Sequence, residues 1–231
     1  MKNVIWGLAV LLFIGCAKDN AENTMIVKGQ IKNLKKGTIY LQKMRDTVMV
    51  TVDSVVLNGQ DSYRLKDQVE SPEMYFLSLE KSPEKYLTFF GENGTITIDT
   101  KLDKFYYSAK ITGLANQKLL DEYEEMTGQF TNSRLDLIKA EFDAGQKGDS
   151  LKVDSIQNSL RSLERRKYYF ATNFAVNHSD MEVSPYIALR DLYNANIKLL
   201  DTIKNSLTPK IKASKYGKEL LKYMEEIQEE N

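Results

Sequence analysis

Three residue types in this chain could do chemistry beyond packing: a single cysteine, a single histidine and many carboxylates. A structural disulfide needs a second cysteine, so Cys16 is open to a different covalent fate. His178 stands alone in Asn177-His178-Ser179-Asp180. Zinc requires several Cys, His or carboxylate ligands at defined spacing, and a Ser-His-Asp triad would have to use this one ring. No serine lies in a Gly-x-Ser-x-Gly turn, and no Gly-x-Gly-x-x-Gly or phosphate loop occurs. A loop histidine without a chemical role is the stronger reading. Asp99, Asp103, Asp121, Glu122, Glu124 and Glu125 could supply an acid/base pair of the glycosidase kind, but solvating the surface is their default task. Phe89-Phe90, Tyr106-Tyr107 and Tyr168-Tyr169-Phe170 are clustered aromatics. Adjacent residues on a strand face opposite ways, so one ring of a pair could be exposed to stack on a sugar or anchor a partner. Packing between layers is the stronger reading there too. No catalytic residue, metal ligand or cofactor site is assigned.

Cys16 closes the strongest apolar run, Val4 to Ile14 with Gly15 behind it, and the small polar residues Ala17-Lys18-Asp19-Asn20 follow at once. Lys2, a short apolar stretch and a small residue at the cut site describe a secretory signal. A transmembrane helix needs about 20 apolar residues, and this run is too short.

A small residue followed directly by cysteine resembles the lipobox of bacterial lipoproteins, with Phe13 where leucine is usual. That resemblance implies cleavage between Gly15 and Cys16 and lipid, palmitate included, on Cys16; ordinary secretion is the competing reading. One acyl chain binds membranes marginally and two hold firmly. Residues 16–24 then form a tether. Lys18-Asp19 with Glu22 partly resembles an export signal of surface lipoproteins of the Bacteroidota, although a plain spacer explains it as well.

Removing residues 1–15 leaves enough chain for one large domain or two small ones. The full sequence balances 32 basic against 32 acidic residues and has no basic block, which argues against nucleic-acid binding. With 42% hydrophobic residues, 13 Tyr and 9 Phe, the chain can build a real core.

The elements that position these residues change character along the chain. Residues 25–113 alternate apolar and polar in short runs: Met25–Ile31, Thr38–Lys43, Val48–Asp53, Tyr63–Lys66, Tyr75–Glu80, Tyr86–Phe90, Thr95–Asp99 and Phe105–Thr112. Turn residues such as Lys36-Gly37, Asn58-Gly59 and Ser82-Pro83 separate them, and Asn93-Gly94 predicts a hairpin. Short strands at such intervals predict an antiparallel β-sandwich.

Residues 114–231 have helical spacing. Leu119, Leu120, Tyr123, Met126, Phe130, Leu137, Ile138 and Phe142 make one stripe. Gly145 to Gly148 breaks it, Asp149 or Ser150 can cap a second helix, and apolar residues from Val153 to Phe174 continue it. The pattern predicts a long antiparallel helical hairpin. Ser184-Pro185 predicts a third helix with Ser as cap, and further helices are expected near Lys198–Ser206 and Lys215–Glu229. The fold class is therefore α+β: an N-terminal antiparallel β-sandwich followed by an α-helical region with a long hairpin.

In order along the chain, Val27-Lys28-Gly29-Gln30-Ile31, Gly37-Thr38-Ile39-Tyr40-Leu41, Asp53-Ser54, Met74-Tyr75, the run Phe89 to Ile98, and Ile111-Thr112-Gly113 before Asn116 resemble a known domain. It is domain-of-unknown-function family 4369, found N-terminal in Bacteroidota lipoproteins described as thiol–disulfide interchange proteins. Asn177-His178-Ser179, Ser184 to Leu189 and Ser214-Lys215-Tyr216-Gly217-Lys218 are similar to the segment that links it to a thioredoxin-like domain in those relatives. That domain carries a Cys-x-x-Cys pair. This sequence has none, so the redox activity of the relatives is not carried over. The resemblance and the lipobox lead to the expectation of a lipid-anchored envelope protein at the outer membrane. Its role would be non-catalytic binding or scaffolding, beside a separate thiol-redox protein. A glycan- or peptide-binding module and a carboxylate-dependent hydrolase are the competing expectations. A hydrolase needs convergent carboxylates in a cleft, a glycan binder coplanar exposed aromatics, and a scaffold an exposed apolar patch or an open sheet edge.

Overall fold

Alternating residues divide each strand between a core face and an outer face, and the outer faces decide how the two halves of the protein join. The computed structural model describes residues 23–229; the signal segment, Gly15, Cys16 and most of the tether lie outside them. Eight strands form two four-stranded sheets: β1 (Thr24–Lys32), β2 (Lys36–Arg45), β3 (Val48–Asn58), β4 (Ser62–Gln68), β5 (Glu73–Leu79), β6 (Ser82–Gly91), β7 (Gly94–Lys101) and β8 (Lys110–Thr112). One sheet has the order β4-β1-β7-β8 and the other β3-β2-β5-β6. All pairings are antiparallel except β1 with β7, which run parallel. Met25, Val27 and Ile31 of β1, Ile96 and Ile98 of β7, Leu41 of β2, Leu77 of β5 and Phe89 of β6 meet in one core between the sheets.

The expected hairpin at Asn93-Gly94 does not form. Gly94 does take the positive φ (126°) that the turn signal anticipates. Yet β6 pairs with β5 and β7 pairs with β1 and β8, so the turn carries the chain from one sheet to the other. A turn signal reports local backbone geometry; pairing is decided by the strands that compete for each edge. The eighth expected strand is likewise shorter than Phe105–Thr112. A 3-10 turn (Leu102–Lys104) and a non-strand stretch precede it, closed by Thr100 Oγ1 donating to the Phe105 carbonyl at 2.7 Å. Tyr106 and Tyr107 therefore sit on a turn and not on a strand.

Six helices follow: α1 (Ala115–Gln146), α2 (Ser150–Asn177), α3 (Val183–Asp191), α4 (Ile197–Ser206), α5 (Pro209–Lys212) and α6 (Lys215–Glu229). Asp149 caps α2 by accepting from the Lys152 amide at 3.0 Å. Ser184 does not cap α3. The helix starts one residue earlier, and the Ser184 hydroxyl donates to the Ala175 carbonyl of α2 at 2.7 Å. Thr208 with Pro209 starts the short α5, which the helical spacing alone did not reveal.

The helices cover the outer face of β5 and β6. Phe89 and Phe90 face opposite ways, as strand residues must, but neither is exposed. Phe89 packs inside the sandwich, whereas Phe90 enters a second core with Leu120, Ile187 and Leu220 and meets the Tyr186 and Tyr216 rings edge-on at 5.6 and 6.0 Å. Adjacent residues on one strand thus serve both cores.

Candidate functional site

The residues singled out by type do not converge. Cys16 lies outside the described residues. His178 ends α2 with its ring against Phe174, 4.5 Å between centroids. Asp99 accepts from the Gln30 amide at 2.9 Å, Asp121 from Gln117 at 2.6 Å, and Glu124 pairs with Arg190 at 3.0 Å. These carboxylates hold backbone and neighbouring side chains in place, Asp99 on β7 and Asp121 and Glu124 on α1. Among the described residues no group of three His, Cys, Asp or Glu side chains could hold a metal ion, and no helix is long and apolar enough to cross a membrane. Tyr106 and Tyr107 are exposed beside Tyr86 and Leu102 around a hollow of about 320 Å³. Their rings stand at 89°, so they make a corner and not the flat platform a sugar ring stacks on.

Two clefts bring charge together. The first lies where the sandwich meets α6. Lys43 of β2 bonds Asp67 of β4 at 2.7 Å and pairs with Glu73 of β5 at 3.3 Å, and Lys215 of α6 bonds Glu73 from the other side. The Tyr75 hydroxyl donates to Asp67 at 2.7 Å, and the Tyr216 hydroxyl accepts from the Met74 amide at 2.9 Å. Burial works against the Lys43 charge, but its bond to Asp67 and the Glu73 charge outweigh that and hold the amine protonated beyond its ordinary range. Lys43, Asp67, Glu73 and Lys215 are paired with one another, so these four work as a strut joining both sheets to the last helix.

The second cleft is a groove of about 540 Å³ along α1 and α2, closed at its base by the end of α3. Its base is rigid. The Arg190 guanidinium lies over the Tyr123 and Tyr186 rings at 5.5 and 5.2 Å and bonds Glu124 and Asp191 at 3.0 and 3.1 Å. Tyr123 donates its hydroxyl to Asp191 at 2.7 Å. Burial opposes the Arg190 charge, and the Asp191 carboxylate with Tyr186 more than restores it. Farther out, Phe130, Ile138, Leu160 and Leu163 line the groove with Arg134, Arg161, Lys167, Glu141 and Glu164 around them. The groove thus combines apolar and charged side chains.

The groove runs onto an arm. In α1, Asn116, Gln117, Leu120 and Tyr123 are buried near its start, and beyond them only Ala144 is. The helix of 32 residues is about 48 Å long, so most of it meets α2 on one side and solvent on the other. The apolar stripe of α1 is therefore split. Leu120 and Tyr123 are buried, while Ile138 is 38% and Phe142 64% exposed, and Leu135 beside them is 58% exposed. Periodicity identifies a face that could be covered; it cannot say whether a second layer exists to cover it. Arg190-Asp191, the clamp at the base, carried no sequence signal, because adjacent opposite charges on a helix are common on ordinary surfaces.

An α+β molecule with a two-sheet sandwich, a helical layer and an exposed arm is thus defined. Residues 25–120 match the family model described as Domain of unknown function (DUF4369), the domain named by the resemblance of the β-rich half. The match runs into the first turns of α1, where the Gln117 side chain accepts from the Phe90 amide at 2.6 Å and Leu120 helps bury that ring, so these turns complete the sheet's cover. No curated protein and no solved structure matches the chain.

Proposed function

We propose that this is a lipid-anchored protein of the cell envelope, held at the outer membrane through Cys16, with a non-catalytic binding or scaffolding role. The observation that carries the binding role is the exposed apolar stripe Leu135, Ile138 and Phe142 beside a groove with a charged margin. The Gly15–Cys16 junction behind a short apolar run supports the anchor. A separate thiol-redox protein is the partner class suggested by the family resemblance.

The test is crosslinking in native envelopes with the full chain, followed by capture and mass spectrometry. Cys16→Ser should move the protein from the membrane to the soluble fraction. Ile138→Asp with Phe142→Asp should stay at the membrane, keep its helical circular dichroism and lose its crosslinked partners. A partner set indifferent to the arm variant would overturn the arm as binding surface; membrane retention of Cys16→Ser would overturn the anchor.

A further inference from the structure

The exposed side of α1 has the repeat of a coiled coil. Gly128, Thr131, Leu135, Ile138, Phe142 and Gly145 recur at alternating spacings of three and four, two heptads long, with Leu135, Ile138 and Phe142 exposed and with Thr131 and Ile138 at the edge of the groove shared with α2. Such a seam prefers a second helix with the same repeat. The positions flanking it state which way that helix must run. Arg134 and Glu141 lie just before the seam residues Leu135 and Phe142, and Lys139 lies just after Ile138. In an antiparallel pair the preceding positions face each other, so Arg134 of one copy meets Glu141 of the other, twice by symmetry. In a parallel pair Arg134 would meet Lys139, a repulsive contact.

We propose that the arm binds a second copy of this chain, α1 against α1, antiparallel about a two-fold axis between Leu135 and Ile138. The contact is isologous, so each residue placed on one copy recurs on the other. Leu135 packs on Ile138 of the second copy, Phe142 packs over Thr131, and Gly145 lies opposite Gly128, where two glycines let the helices approach. The seam is about 27 Å long at the rise of a helix. Glu141 accepts from Gln157 of α2 at 3.1 Å, which places its carboxylate on the groove side of the seam, where its second oxygen can take the guanidinium.

The inference rests on the arm being a binding surface and adds the occupant. Its test needs no envelope. Sedimentation equilibrium of the mature, lipid-bearing chain in density-matched detergent should give twice its protomer mass at micromolar concentration. Arg134→Glu alone and Glu141→Arg alone should each weaken the dimer by about tenfold or more, and the two together should restore it. Both positions are on the surface of α1, so the fold is not at stake. A wild-type monomer throughout the micromolar range overturns the proposal, and leaves the arm free for a different partner. A dimer that ignores all three variants places the interface elsewhere and overturns it equally. Failure of the double variant to recover overturns the antiparallel register.

Discussion

Helix α1 begins without a capping side chain of its own, because Leu114 stands at the cap position. Glu92, in the turn between the sheets, supplies the missing acceptor: it takes the Asn116 amide at 2.8 Å and the Asn116 side-chain amide at 3.1 Å. The same side chain donates to Glu182 at 3.2 Å and accepts from the Val183 amide, the first of α3, at 2.9 Å. One fully buried side-chain amide thus caps α3, holds the Glu92 that caps α1, and separates two carboxylates. Asn116→Ala leaves the Val183 amide and the buried Glu182 without it and should cost about 3 kcal/mol of unfolding free energy at neutral pH. Burial already pushes the Glu92 carboxyl above its ordinary range, with the Glu182 charge adding to the rise and the Asn116 bonds opposing it. The variant keeps the backbone bond to Glu92 but loses the side-chain one, which raises that carboxyl further. A carboxyl raised in the folded state contributes stability below its unfolded value that is lost as pH rises through the folded value. The variant's deficit should therefore be smaller at pH near 4 than at pH 7, as read by urea denaturation at both. A deficit that grows on acidification would refute this account. Asn116 was visible in the sequence as the residue closing the family pattern. Its role was not, since nothing in a linear pattern joins positions 92, 116 and 182.

At the scale of elements, local chemistry was legible where it acts locally. The Asp149 cap, the α1–α2 hairpin and the alternation of β1, β5 and β7 follow from residue type and period. The turn at Asn93-Gly94 and the exposed half of α1 were not legible, because both depend on what another element does. Glycines show the same division. Gly128, inside α1, has open space where a Cβ would go, while a Cβ at Gly217 of α6 would lie 1.9 Å from the Ile211 carbonyl oxygen of α5. Helix interiors favour alanine over glycine by about 1 kcal/mol, so Gly128→Ala should stabilise the monomer by roughly that much. Gly217→Ala must push α6 off α5 and should cost about 3 kcal/mol or more. Thermal melts of the two variants should move in opposite directions; a Gly217→Ala melt equal to wild type would mean that α6 is not seated on α5 as described.

For the whole molecule, the decisive feature is a sheet with a core on each face. The sequence suggests a β-rich half and a helical half, and their separate cores agree with that division. The physical join between them is closer than a linker. Phe90 and Met74 belong to the helical core though they sit on β6 and β5, the Phe90 amide is satisfied by Gln117 of α1, and the Met74 amide by Tyr216 of α6. A sandwich without its helices would expose those rings and leave those amides to water, and helices without the sheet would lose the wall they pack on. The two halves should therefore open together. Phe90→Ala deletes a fully buried ring at the shared wall and should cost about 3–5 kcal/mol. Native-state hydrogen exchange locates the loss. If the wall couples the cores, the slowest amides of β1, on the far sheet, and of α3 should lose protection by equal free energies. If β1 keeps its protection while α3 loses it, the sandwich stands alone and the cores are coupled in space but not in energy.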